Sequence, residues 1–310
     1  MRLGVLDVGS NTVHLLVVDA HPGAHPWPAF SEKAVLRLAE RIGRDGKISD
    51  QGAEDLVRAV AMARKAARNH RAEEMLAFAT SAVRDASNSG KVLTRIRDET
   101  GVDLRVLDGK DEARLTFLAV RRWFGWSAGR LLVLDIGGGS LEIAEGIDEQ
   151  PTIAISLPVG AGRLTRERLK GDPPTAAEVG ELRAYVDGQL SRVKVQDWDR
   201  AAATSKTFRS LARLAGAAPS EVGLTVRRTL SRDELHQVLG FIQRIPSGAL
   251  GEMDGVSAAR SHQLLAGAVV AEAVMDRLGV DEVEICPWAL REGVILRRLD
   301  ALGAGDQDRN

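Results

Sequence analysis

Two stretches of the chain, LGVLDVGSNTVHLLVVD (residues 3–19) and RLLVLDIGGGSLEIAEGID (residues 130–148), follow one order of residue types. Each is an apolar run ending in Asp, then a glycine-bearing turn with a hydroxyl residue, then a second run. Asp7 and Asp135 put a carboxylate where a buried strand meets its turn, a position from which it can hold Mg²⁺ directly or through water. The glycines that follow, Gly9 in the first copy and Gly137, Gly138 and Gly139 in the second, let backbone N–H groups approach an anion with no Cβ in the way. Ser10, Asn11, Thr12 and Ser140 add side-chain donors. One such turn is commonplace in tight hairpins, but two matched copies in one chain describe a pair of loops that clamp a phosphate chain from two sides. Glu142 follows Ser140 by two, so on a strand the two share a face and the carboxylate lies near the second loop.

The elements that must position these residues can be read from the apolar spacing. Strands are expected at 3–7 and 13–19 around the first turn, followed by a loop at HPGAHPWP (21–28), where three prolines and a glycine oppose regular structure. Residues 51–70 carry helical spacing, MLAFAT (75–80) is a short buried strand, and Ser81–Asn88 opens another helix. DLRVL (103–107) is a further strand, and 111–124 an amphipathic helix with Leu115, Leu118 and Trp123 among its apolar positions. The second half repeats the theme with strands at 131–135, 141–146 and 152–157, then mostly helices, a late strand at 280–287 and a closing helix from 289 to 301. Strands interleaved with helices imply α/β architecture. The duplicated strand–turn–strand unit implies two related domains facing a cleft.

Further segments give these loops a setting. ATSAVRDASN (79–88), LDGKDEARLTFLAV (107–120), LPVGAGRLT (157–165) and WALREGVIL (288–296) occur in order around DVGSNTVHLLV and DIGGGSLE. Together they resemble the exopolyphosphatase and guanosine pentaphosphate phosphohydrolase family of the sugar kinase, Hsp70 and actin superfamily, in its short two-domain form. The resemblance runs from about residue 3 to 300. It implies two ribonuclease H-like, actin-like ATPase domains facing an interdomain cleft: 1–125 and 126–289, with a closing helix at about 290–303 packing back on the first and a polar tail at 304–310. It also implies roles. Glu112, in KDEAR, matches the position taken as the catalytic base, and Arg84 would meet a phosphate with its fork of donors. Asp7, Asp135 and Glu142 are the metal-side carboxylates, Glu142 as a ligand or as the group that orients water. The expected cofactor is Mg²⁺ or Mn²⁺, with no organic cofactor, and the expected assembly a homodimer.

Two departures bear on the substrate. Where nucleotide-binding relatives carry a Gly-rich adenosine loop, this chain reads ATSKTFRSLARL (203–214), with Lys206 in place of small residues. In RSHQLLAGA (260–268), Arg260 is kept but Ser261 and His262 replace the family's usual Ala-Asp. Both changes weigh against guanosine pentaphosphate more than against inorganic polyphosphate. Helical spacing puts Lys206, Arg209 and Arg213 on one face, where they would hold a polyanion tail, with Arg163, Arg166, Arg168 and Lys170 adding to the positive charge nearby. The function expected is therefore processive release of terminal orthophosphate from inorganic polyphosphate by metal-assisted in-line attack of water. Guanosine pentaphosphate 5′-phosphohydrolase is the alternative substrate reading, and a non-catalytic sensor of polyphosphate or an alarmone the alternative of another class.

Composition removes several other classes. Lys and Arg number 42 against 43 Asp and Glu in 310 residues, a formal charge of -1. A nucleic-acid or membrane-surface protein would carry a basic excess. The single Cys286 excludes an internal disulfide and reads as a core residue at a strand end. The first apolar run is broken by Asp7, Asn11 and His14, too soon for a signal-peptide core, and no stretch approaches the roughly 20 apolar residues of a membrane helix. These features lead us to expect a cytoplasmic, soluble protein without nucleic-acid or membrane partners. His21 and His25 are four apart, but the intervening prolines oppose the helix that would align them on a metal, and His14 reads as a hydrogen-bonded structural residue.

Overall fold

The computed structural model describes residues 1–21, 26–43 and 45–307. The chain divides into two compact units, Met1–Ala119 with the segment from Leu290 onward, and Val120–Ala289. Both are α/β.

In the first unit, β1 (Arg2–Val8), β2 (Thr12–Asp19), β3 (Trp27–Val35), β4 (Glu74–Ala79) and β5 (Arg105–Val106) form a sheet in the order β3-β2-β1-β4-β5. The first three strands are antiparallel, and β1–β4 and β4–β5 are parallel. The helices are α1 (Asp50–Asn69), α2 (Ser81–Arg84), α3 (Ser89–Thr100), α4 (Gly109–Phe124), which runs on into the second unit, and α11 (Leu290–Gln307). Leu6, Val8 and Leu15 bury one sheet face against Leu56 and Val60 of α1. Leu3, Val5 and Phe78 bury the other against Leu115 of α4 and Ile295 and Leu299 of α11. The alternation of buried residues between two covered faces explains why β1 carries an unbroken run from Leu3 to Leu6, with no polar side chain between Arg2 and Asp7. A Cβ on Gly293 of α11 would overlap the carbonyl of Leu115, so this glycine lets α11 lie against α4 one turn beyond Glu112.

The second unit repeats the plan. β6 (Leu131–Ile136), β7 (Leu141–Gly146), β8 (Ile153–Leu157), β9 (Arg200–Thr204), β10 (Thr229–Ser231) and β11 (Glu282–Ile285) form a sheet in the order β10-β11-β9-β6-β7-β8. Again the first three are an antiparallel meander, with β9 parallel to β6 and β11 parallel to β9. The helices are α5 (Ala161–Arg168), α6 (Ala176–Leu190), α7 (Ser205–Leu214), α8 (Arg232–Ile242), α9 (Ser247–Leu250) and α10 (Ser261–Leu278). Most residues of α10, from Ser261 to Met275, are buried, as a helix must be when it is apolar on all sides.

Several elements differ from those expected. Residues 27 and 28, read as loop, start β3. Pro28 is tolerated because β3 is an edge strand, at a register shift opposite Val17 and Val18. The helix expected over Ser81–Asn88 stops at Arg84 and a new one starts at Ser89. Between them Asn88 bonds both the N–H and the C=O of Ile48 at 2.9 Å, and Ser87 Oγ donates to Asp45 O at 3.2 Å, so tertiary hydrogen bonds break the helix. β9 and β10 fall in a region read as mostly helical. The RAAAT of β9 has helix-forming residues, and it is a strand because it fills the gap between β6 and β11. The closing helix runs past Gly303, where a polar tail was expected, to Gln307. His25 of the His21–His25 pair and residues 308–310 lie outside the described residues. No helix among the described residues is long and apolar enough to cross a membrane.

Candidate active site

The two turns have the same internal geometry. Gly9 N donates to Thr12 O at 3.0 Å, and Gly137 N to Ser140 O at 2.9 Å. In each, the register sets the Asp opposite a residue of the following strand: Asp7 against His14, Asp135 against Glu142. The loop carbonyls are occupied in both copies. Ser10 O accepts from Ala39 N at 2.9 Å, and Asn11 O from Leu36 N and Arg37 N at 3.0 and 2.9 Å. Gly137 O accepts from Ala161 N at 3.0 Å, and Gly138 O from Arg163 N at 2.8 Å. Carbonyl oxygens repel an anion, so tying them to other backbone groups suits a turn that presents N–H groups to phosphate. Ser10, Asn11 and Ser140 are buried.

In the first unit the turn meets two side chains from distant sequence. Ser10 Oγ lies 3.2 Å from Ser81 Oγ, at the start of α2. Three residues on, Arg84 is bonded through Nη1 to the Glu112 carboxylate and to Leu107 O (3.2 Å), and through Nε to Asp85 Oδ1 (3.0 Å). Glu112 is thus a buried, ion-paired carboxylate (6% exposed) at the first turn of α4, unlike a solvated helix acid. Burial alone would lower the pKa of the Arg84 guanidinium, but the charges of Glu112 and Asp85 outweigh it and hold the group above its ordinary value. His14 is buried and hydrogen-bonded to Ser31 Oγ at 2.8 Å, the structural role expected of it.

In the second unit Glu142 is buried and accepts from Ser156 Oγ at 2.8 Å. Directly opposed residues on an antiparallel ladder have Cβ atoms about 4.5–5.5 Å apart on one face, so Asp135 and Glu142 are two neighbouring acids whose mutual repulsion a hard divalent cation would relieve. The donor set fits Mg²⁺ or Mn²⁺ in character. Among the described residues no group of three or more His, Cys, Asp or Glu is positioned to hold a metal. Gly160, which sequence reasoning did not single out as a site residue, proves to belong here: a Cβ on it would overlap Ser140 N and the backbone of Gly139. Its motif LPVGAGRLT was visible in the sequence, but its approach to the loop was not.

Lys206, Arg209 and Arg213 do share a face of α7. They line one cavity of about 330 Å³ with Arg228, and the acids Glu221 and Asp254 line it too. Arg228 holds its own loop, donating to the carbonyls of Ala218, Pro219, Gly223 and Val226. Lys206 also lines a smaller cavity of about 20 Å³ with Gly137, Gly138 and Arg260, so it stands between the second loop and the basic cavity. Arg166 and Arg168 line neither cavity: the first pairs with Glu167, the second stacks on Tyr185. Ser205, which opens α7, has φ +100°, backbone that favours glycine and is held here by the β9–α7 junction. Cys286 is buried in the core.

Two sheets of this topology, each with a loop suited to phosphate, define the class: a two-domain actin-like α/β fold built for phosphoryl chemistry. The chain belongs to the Ppx/GppA phosphatase family, whose description matches residues 16–302. It is 59% identical over 310 residues to Exopolyphosphatase 1 of Mycobacterium tuberculosis, covering 98% of this chain and 90% of that one. It is 56% identical to Exopolyphosphatase 1 of Mycobacterium leprae, covering 98% and 91%. Among solved structures, the Aquifex aeolicus Ppx/GppA family member superposes with a TM-score of 0.81 at 25% identity, covering 97% of this chain and 98% of that one.

Proposed function

We propose that the protein is an exopolyphosphatase that removes terminal orthophosphate from inorganic polyphosphate, processively, by in-line attack of water. The observation that carries this reading is the first half-site, in which Ser10 of the phosphate-type turn lies against Ser81 at the start of α2 and Arg84, at the end of that helix, is bonded to the buried Glu112. The naming of the close relatives supports the substrate. A polyphosphate leaving group is a weak base, so positioning, charge neutralisation and one group to align water are sufficient. Glu112 aligns the water and accepts its proton, a role that typically contributes about 10²–10⁴-fold. The amides of 9–12 and 137–140 stabilise charge on the phosphoryl oxygens, with Ser10, Asn11, Thr12 and Ser140 adding donors. Asp7, Asp135 and Glu142 are the carboxylates that would hold Mg²⁺ or Mn²⁺, Glu142 doubling as a water-orienting group. The bound metal supplies neutralisation of phosphate charge. Lys206 and Arg209 hold the polyanion tail. In the same reading, by family resemblance, the enzyme works in the cytoplasm as a homodimer.

The test is phosphate release, with Mg²⁺, from polyphosphates of defined length, guanosine pentaphosphate and ATP, by the protein and by Glu112→Gln. Release from polyphosphate that falls about 10²–10⁴-fold in the variant is the expected result. Turnover of guanosine pentaphosphate alone would replace the substrate, and tight polyanion binding without any hydrolysis would mean a sensor.

A further inference from the structure

Arg84 is bonded to more than one kind of partner, and the pattern has a chemical use. Its side chain is 21% exposed while that of Glu112 is 8% exposed. The Arg84 side chain is therefore the more exposed member of the pair. Nε is fixed by Asp85 and Nη1 by Leu107 O and Glu112. These bonds come from α2's C-cap, from the residue after β5, and from α4, so three elements set the plane of the fork. Nη2 takes part in none of them. It is the edge of the fork that remains for a phosphoryl oxygen.

We propose that Arg84 is the positioning residue for Glu112: one rigid guanidinium binds the terminal phosphate on one edge while its other edge sets the carboxylate at a fixed distance from phosphorus. The two acceptors on adjacent edges of a planar fork are held in a constant geometry, which leaves space for a water between the carboxylate and the phosphate. A carboxylate bonded to a guanidinium is favoured in its ionised form. It is thus a fixed acceptor for orienting water, and a loose phosphoryl-transfer transition state asks for little more than that. Lys could supply the positive charge but not the two-edged geometry, because an ammonium is a point donor on a flexible stem.

This deepens the exopolyphosphatase reading and rests on it. The experiment is a double-mutant cycle of the wild type, Arg84→Lys, Glu112→Gln and the double variant, with kcat and KM measured on tripolyphosphate. Arg84→Lys is expected to lower kcat about 10²-fold, the scale of a 1 Å misplacement, while KM moves far less. The double variant is expected to be no slower than Glu112→Gln, because Arg84 acts through Glu112. Arg84→Gln, which has no charge, is expected to raise KM as well, and thermal unfolding confirms that each variant is folded. Multiplicative losses in kcat, or an Arg84→Lys effect confined to KM, would overturn the positioning role and leave the exopolyphosphatase standing. A wild type that releases no phosphate from tripolyphosphate or from longer polyphosphates would remove both.

Discussion

At the residue scale, the site depends on close approaches that only the smallest side chain permits. Gly160 has ordinary backbone angles, φ -69° and ψ 150°, so alanine could adopt its conformation. What alanine could not do is coexist with Ser140 N and the Gly139 backbone. Gly160→Ala must push the second loop away, and we expect a kcat loss of about 10²-fold or more with about 1–3 kcal/mol of destabilisation, read from phosphate release and urea unfolding. Unchanged kcat would mean that this loop does not hold the reacting phosphate. The Arg84–Glu112 pair shows the limit of sequence reading at this scale. Both residues could be picked out from their motifs, but they lie 28 positions apart and nothing in either segment announces that they bond to each other. Glu112 read in isolation is one acid among several in LDGKDEAR, and its burial separates it from Asp111, which is partly exposed on the same turn.

At the scale of elements, the helix that closes on the second sheet is fastened by local chemistry legible in one line of sequence. Thr175 and Glu178 form a capping box at the start of α6, with Glu178 N donating to Thr175 Oγ1 at 3.3 Å and Thr175 N to Glu178 Oε2 at 2.8 Å; Lys170 N adds a bond to Oε1 at 2.9 Å. These donors, the backbone N–H of Thr175 first, hold the Glu178 carboxyl down to about 2. A carboxyl depressed on folding stabilises the protein fully above its unfolded value of about 4.5 and loses that contribution as pH falls through about 2. Glu178→Gln should therefore lower Tm at neutral pH, and the gap to the wild type should shrink between pH 4.5 and 2. A gap constant over that window would show that the ionised carboxylate does not fasten the helix. β3 has no such local signature. It alternates no clear apolar face, its residues are mostly exposed, and it begins with Trp-Pro, so neither pattern nor propensity marks it. Its pairing with β2 makes it a strand.

At the scale of the whole molecule, each unit has its own core. Leu56 lies in that of the first unit and Leu182 in that of the second, both fully buried. Leu56→Ala and Leu182→Ala should each cost about 2–5 kcal/mol. Sharing no packing partners, they should combine additively within about 0.5 kcal/mol, as measured by urea unfolding of the single and double variants. A larger deviation would show the two cores to be coupled.

The sequence by itself determined the duplication, the α/β class, the two phosphate-type turns and the family, because these rest on local patterns: an apolar run, an Asp and a turn residue within about a dozen positions. It also marked the common face of Lys206, Arg209 and Arg213. Only the tertiary structure decided that Arg84 grips Glu112, that Gly160 backs the Gly139–Ser140 peptide, that Ser87 and Asn88 interrupt a helix, and that the RAAAT segment is a strand. The physical reason is shared. Each depends on a partner far away in the chain, supplied by the packing of strands and helices, and local propensity is too weak to resist that partner or to foretell it.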